Sequence, residues 1–155
     1  MEIAARPATP DDVPVIDGLA ADAIAEQVEG RGGAVWSVCE AQRQPRGEGL
    51  AAAVSDPDQL VLVGTIDDEV VGFATTELDV LADDTTLGVI TSVFALPGAR
   101  AVGIGEAMLD AVIAWCESKG CVGIDAHALP GNRETKNFFE TFGFTARLLV
   151  VHRTL

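Results

Sequence analysis

Apolar residues recur along this chain with two periods, and the change from one to the other divides it. Near the N-terminus Val13, Ile16, Ala20, Ala23 and Ile24 fall at helical spacing. They follow Thr9-Pro10-Asp11-Asp12, a hydroxyl cap, a proline and two acids, which predicts a helix running to about Gln27 and ended by the glycines of 30–33. Residues 2–8 read as an edge strand closed by Pro7 and Pro10, and residues 50–54 as a short helix after the break at 45–49. The period then shortens. Residues 60–66 and 70–78 predict two strands joined by the turn Asp67-Asp68-Glu69, and 87–95 a third after Asp83-Asp84-Thr85. The second half alternates: a helix over 103–119, a strand over 121–128, a helix over 133–142 and a strand over 146–154. A meander followed by a β-α-β-α-β run implies an α/β fold with a mixed, mainly antiparallel central sheet and helices on both faces. The length suits one domain over residues 1–155.

Composition narrows the function. At 48 % apolar the 155 residues can bury a core, yet the longest apolar runs, such as Leu148-Leu149-Val150-Val151, are too short to cross a bilayer. The first residues include Glu2, Arg6, Asp11 and Asp12 and form no apolar signal core, so the expected compartment is the cytoplasm. Cys39, Cys116 and Cys121 read as small buried side chains, and with only two histidines beside them no metal site is expected. The net charge of −14, from 24 acidic and 10 basic residues, excludes general nucleic-acid binding and favours a cationic substrate such as an amine. Its plainer reading is a solvated surface.

The informative motif lies where the two halves meet. Arg100-Ala101-Val102-Gly103-Ile104-Gly105-Glu106 falls between a strand and a helix. A pyrophosphate needs several free backbone N–H groups aimed at one spot, and a helix N-terminus supplies them with a favourable dipole. Glycines at Gly103 and Gly105 would let phosphates approach the backbone, and Arg100 adds a positive charge. The plainer reading is a tight turn into a helix. No Gly-Lys-Ser/Thr follows, so this is not a P-loop, and no third glycine completes a dinucleotide fingerprint.

With these residues in place, the chain resembles the GNAT superfamily of N-acetyltransferases along nearly its whole length. Residues 6–12 are similar to the family's opening strand and first helix, and Val70-Val71-Gly72-Phe73 to its third strand. Leu96-Pro97 with Arg100-x-x-Gly103-x-Gly105 matches the acyl-CoA signature, and Asn132 with Phe138-Phe139-Glu140-Thr141-Phe142-Gly143-Phe144 matches the region that follows it. The resemblance implies acetyl-CoA as donor and co-substrate, with an amine, small or on a peptide, as acceptor. Main-chain groups of Val93, Phe94 and Ala95 would pair with the pantetheine arm like an added strand. Residues from Ala101 through Glu106 would hold the pyrophosphate, and Asn132, which also reads as a helix cap, would bond the pantetheine.

The catalytic positions depart from the family. Its usual acid, a tyrosine, falls at Phe139, and the chain contains no tyrosine. Water, a cysteine or a serine would then substitute, or CoA would leave as the thiolate. The strand before the turn offers Val89, Thr91 and Val93 on one face and no carboxylate base. One branch of the family carries an acid at the position of His127, whose imidazole suits proton transfer at neutral pH, with Asp125 on the same strand face; a structural histidine is the alternative. Only eleven residues follow Phe144, so the acceptor site is either open or covered by a partner chain in a homodimer. Beside the transferase stands a second class of function, an acyl-CoA-binding sensor that keeps the fold without turnover.

Overall fold

The computed structural model describes residues 1–155. Five strands form one sheet in the order β1 (Ile3–Pro7), β2 (Gln59–Ile66), β3 (Glu69–Val80), β4 (Thr86–Ala95) and β5 (Gly123–Ala126). The first four pair antiparallel and β4 pairs parallel with β5, so the mixed, mainly antiparallel sheet read from the periodicity is the observed one. The hairpin between β2 and β3 turns at Asp67 and Asp68, both at positive φ, where a short polar side chain is tolerated.

Helices α1 (Val13–Val28), α2 (Gly33–Cys39) and α3 (Arg46–Ser55) lie between β1 and β2 in sequence, and α4 (Ile104–Ser118) and α5 (Arg133–Thr141) flank β5. Two cores result, one on each face of the sheet. Ile16 and Leu19 of α1 and Leu50 of α3 pack on Val61, Val63, Phe73 and Phe94. On the other face Ile104, Met108 and Val112 of α4, with Phe139 of α5, cover Leu60, Leu62, Ala74 and Ile90. β2 contributes to both, which is why its run Leu60-Val61-Leu62-Val63 is apolar at every position rather than alternating.

The helical segment starts where the sequence places it, at a Thr9 N-cap followed by Pro10, Asp11 and Asp12, in a one-turn 3-10 segment, Pro10–Asp12, that precedes α1. Asp12 closes a capping box with Thr9, its carboxylate accepting from the Thr9 main-chain N–H, at 2.8 Å, and hydroxyl, at 3.3 Å. Arg6 donates two further bonds to it, at 2.8 and 3.0 Å, which ties β1 to the start of the helix.

Three expectations are corrected. Helix α2 was not foreseen, since glycines at 30–33 read as a break. The strand expected over 121–128 is ordered as strand only at Gly123–Ala126. No strand forms over 146–154: residues after Phe144 lie beside the sheet without main-chain hydrogen bonds, because the β5 edge and the tail make only side-chain contact.

Candidate active site

β4 and β5 are hydrogen-bonded only from Leu87↔Gly123 to Ile90↔Ala126. Beyond Ile90 they part. Ser92 to Ala95 keep β3 on one side, with Val93 opposite Ala74 and Phe94 opposite Phe73, and have no strand on the other. A gap of this kind leaves main-chain donors and acceptors for an extended ligand.

A bulge coincides with the parting. Thr75 lies opposite Ser92 and Thr76 opposite Ile90, which leaves Thr91 unpaired as the extra residue of β4. Its hydroxyl lies 2.6 Å from that of Thr75. The expectation that Val89, Thr91 and Val93 share one face therefore fails. Val89 sits opposite Glu77, whereas Val93 sits opposite Ala74 and packs against the core under α4.

The chain then passes through a 3-10 turn, Pro97–Val102, to Gly103 at φ 98°, and α4 begins. No side chain caps this helix, so the first N–H groups of α4 are open to a ligand at the positive end of the dipole. The two glycines are needed for different reasons. Gly103 adopts a left-handed conformation, while a Cβ there would meet nothing closer than Glu106 Oε2 at 4.0 Å. At Gly105 a Cβ would stand 3.1 Å from the ring of Phe138, so this glycine admits an aromatic side chain from α5.

A cleft opens between these elements. Val93, Phe94, Ala95, Arg100, Gly105, Glu106 and Asn132, all singled out in the sequence, line it. Ala101, Val102, Gly103 and Ile104 do not; the Ile104 side chain is fully buried in the core, so any contribution from this stretch is through the backbone. Arg100 is more engaged than a free phosphate ligand. Its Nε donates to the carbonyl of Ala95 at 2.9 Å, its Nη2 donates to Glu26 at 2.7 Å, and its guanidinium lies 5.3 Å from the centre of the Phe94 ring. The bond to Glu26 holds the guanidinium pKa above its ordinary value, against partial burial. Asn132 is the N-cap of α5, accepting from Thr135 N–H at 3.1 Å.

Phe139 stands apart from the cleft. It is 5 % exposed, packed between Phe138 and Phe144 with ring centres 5.5 and 5.3 Å away. The aromatic that reaches the cleft is Phe138. No cysteine or serine lines it either, and burial, with Cys121 beside it, pushes the Cys116 thiol up to about 12. His127 follows the end of β5 and is exposed. Asp125 is committed elsewhere: Arg147 donates to both of its oxygens, with Nε at 2.8 Å, and chiefly for that reason its carboxyl lies below the usual range, with a smaller contribution from His127.

Several lining residues escaped the sequence reading: Glu26 and Gln27 at the end of α1, Met108 on α4, and Glu134, Thr135 and Phe138 on α5. The last three fall at helical spacing on one face of α5, a signal that was available once Asn132 was placed at its start. Glu26 carried no local signal, because it meets Arg100 across 74 residues of chain.

The fold recurs in solved structures. A tetramutant of the BH1408 protein of Bacillus halodurans superposes with a TM-score of 0.82 at 20 % identity, over all of both chains. AAC(6')-Iy in complex with the bisubstrate analogue CoA-S-monomethyl-acetylneamine gives 0.74 at 16 %, covering 100 % of this chain and 99 % of that one. The aminoglycoside acetyltransferase meta-AAC0020 from an uncultured soil metagenomic sample, in complex with sisomicin, gives 0.70 at 19 %, covering 99 % and 95 %. No curated protein matches the sequence significantly. At such identities these likenesses establish the fold alone. The sequence itself matches the family model for the acetyltransferase (GNAT) family over residues 23–144, a stretch that contains the parted strands, the uncapped helix and the cleft. The chain belongs to the GNAT acetyltransferase family.

Proposed function

We propose that this chain transfers an acetyl group from acetyl-CoA to a small cationic amine. The observation that carries the reading is the alignment of two unsatisfied backbone features on one cleft: the uncapped N-terminus of α4 and the β4 edge left free beyond Ile90. The first suits a pyrophosphate and the second an extended, amide-bearing pantetheine arm. Bound there, the thioester supplies an activated acyl group. Residues of Ala101 through Glu106 would hold the phosphates through their N–H groups, Arg100 would add charge, and Val93, Phe94 and Ala95 would align the arm.

The acceptor class follows from the acids. Glu26, Glu106 and Glu134 line the cleft, in a chain of net charge −14. Such a field raises the local concentration of cations. Two structural relatives bear the name aminoglycoside acetyltransferase, which supports a polycationic amine as the first class to try. The amine must lose a proton to attack, and His127 is the proposed base, exposed at the end of β5. The departing sulfur has no tyrosine to protonate it; with a thiol pKa near 8.5 it can leave as the thiolate near neutral pH.

The test is thiol release from acetyl-CoA across a panel of amines, with CoA affinity measured separately by calorimetry. Amine-dependent release supports the transferase. Binding of CoA without release from any amine favours a second reading, a CoA-responsive module without turnover, for which the absence of tyrosine and the burial of Phe139 speak. Absence of CoA binding would overturn both.

A further inference from the structure

Thr75 and Thr91 form a hydroxyl pair on the sheet face that carries Phe73, the face packed under α1. Their Oγ1 atoms lie 2.6 Å apart, and Thr91 Oγ1 also donates to the main-chain carbonyl of Thr75 at 3.2 Å. A carbonyl only accepts, so the single proton of Thr91 goes there and Thr75 donates across the shorter contact. Thr75 is 6 % exposed, and this bond satisfies its buried hydroxyl. Thr91 is the exposed member, and its proton is held by the longer bond. That proton is free to turn to a stronger acceptor arriving beside β4.

The pair stands where the strands part. Ile90↔Ala126 is the last pairing of β4 with β5, so Thr91 and His127 are the first residues beyond it, one on each side of the gap. They share a face: Asp125 lies opposite Val89, Val89 lies opposite Glu77, and alternation carries that face to Thr75 and to His127. The cleft runs through the gap, lined by Ala23 and Gln27 of α1 on one side of the sheet and by Met108 and Phe138 on the other. In the donor mode proposed above, the pantetheine arm starts at the N-terminus of α4. Extended, it has the length of about five strand residues, on the order of 16 Å. An arm of that length, running back along the β4 edge from Ala95, brings its sulfur to Thr91.

We infer that the Thr91 hydroxyl donates a hydrogen bond to the departing sulfur of CoA, and that Thr75 positions it to do so. The inference rests on the acetyl transfer proposed above and supplies the group that Phe139, buried and without a donor, does not. As the amine nitrogen bonds to the acetyl carbon, the C–S bond breaks and its electron pair stays on sulfur. The surplus proton of the nitrogen passes to His127 across the gap. Thr91 keeps its own proton, because an aliphatic hydroxyl is a far weaker acid than a thiol. It stabilises the thiolate through a charge-assisted hydrogen bond, and solvent protonates the sulfur after release. Thr91 is thus a catalytic residue, and Thr75, which does not touch the sulfur, is a positioning residue.

Bound CoA tests this without turnover, through the ultraviolet absorbance of its thiolate as the complex is titrated with base. Thr91→Val is expected to raise the pKa of the bound thiol by about 1 relative to wild type. It is also expected to lower kcat about tenfold with CoA affinity unchanged. Thr91→Ser, which keeps the hydroxyl, is expected to behave as the wild type in both. Thr75→Val keeps the hydroxyl of Thr91 without its orienting donor, and a smaller change in the same direction is expected. Since Thr91→Val strands the buried hydroxyl of Thr75, the double variant Thr75→Val, Thr91→Val is measured beside it. With both partners replaced no orphan is left, so it is expected to fold as the wild type and to titrate as Thr91→Val does. A bound thiol that titrates alike in wild type and the folded valine variants overturns the inference, whatever kcat does, and leaves the proposed reaction in place. A shifted titration without thiol release to any amine overturns the reaction and retains the contact between Thr91 and sulfur. A chain that binds no CoA overturns both.

Discussion

Arg100 Nη2 donates to Glu26 Oε2 at 2.7 Å, and this ion pair ties the end of α1 to the turn that precedes α4. The two residues face the same cleft with opposite charge. In the proposed donor mode, an incoming phosphate shares Arg100 with a carboxylate that repels it.

Glu26→Gln is accordingly expected to tighten CoA binding. A partly exposed pair contributes no more than about 1 kcal/mol, so the gain should be roughly two- to fivefold. Calorimetry checks it. Weaker binding would mean instead that Glu26 holds Arg100 in the position from which it binds.

Gly103 offers a paired test of the phosphate site. Gly103→Ala and Gly103→Glu both force a side chain into a left-handed backbone, at about 1–2 kcal/mol. Only the glutamate adds a negative charge at the start of α4. Both variants should melt lower by similar amounts, while only Gly103→Glu abolishes CoA binding. Equal affinities in the two folded variants would move the pyrophosphate elsewhere.

Phe139→Tyr places a hydroxyl among Phe138, Phe144 and the core under α4. An unpartnered hydroxyl there destabilises by about 1–3 kcal/mol, a fall in Tm of roughly 2–12 °C for a chain of this size. Turnover should not rise. A rate increase of about tenfold would instead put this position at the sulfur.

Removing the imidazole tests the proposed base. His127→Ala should lower turnover at pH 7 by about a hundredfold with CoA affinity unchanged. Because the amine's own deprotonation also raises the rate with pH, the mutant profile matters. A variant with near-wild-type turnover would direct the search to Glu77, exposed on β3 opposite Val89.

Asp12 makes stability depend on acid. Arg6 and Thr9 pull its carboxyl from 3.8 to about 2, with the Arg6 hydrogen bond the largest cause. A depressed folded pKa contributes stability that is present above pH 3.8 and lost as the pH falls toward 2. Arg6 is partly exposed, so the contribution is about 1–2 kcal/mol after screening. Asp12→Asn should lower Tm at pH 6 and flatten its decline between pH 4 and 2.

Periodicity located the strands of the meander and the helices α1, α4 and α5 to within a few residues, because each buries one stripe or face against the same sheet. The turn at Gly103 was legible for the same local reason, a strand, a glycine pair and a helix in immediate succession. What escaped was set by distance or by count. Glu26 meets Arg100 only because α1 folds over β4. Phe138 and Phe139 are neighbours of identical chemistry, and only the packing of α5 decides which one reaches the cleft. The tail reads as a strand by composition, yet pairing is a property of two strands, and one chain provides no partner.

The extra residue at Thr91 gives β4 a length constraint that no side chain records. Alternation runs in phase from Thr86 to Ile90 and again from Ser92 to Ala95, with Thr91 as the phase slip between them. Deleting it would leave the faces as they are: Ile90 and Ser92 would become consecutive partners of Thr76 and Thr75, with Phe94 still under α1 and Val93 still under α4. What would go is the bend that a bulge imposes on its own strand, at the point where β4 leaves β5. A straightened β4 would be free to run on beside β5, closing the edge that walls the cleft while every residue of the motif that follows was still present. For the shape of β4, the constraint at Thr91 is thus on the presence of a residue, not on which residue it is.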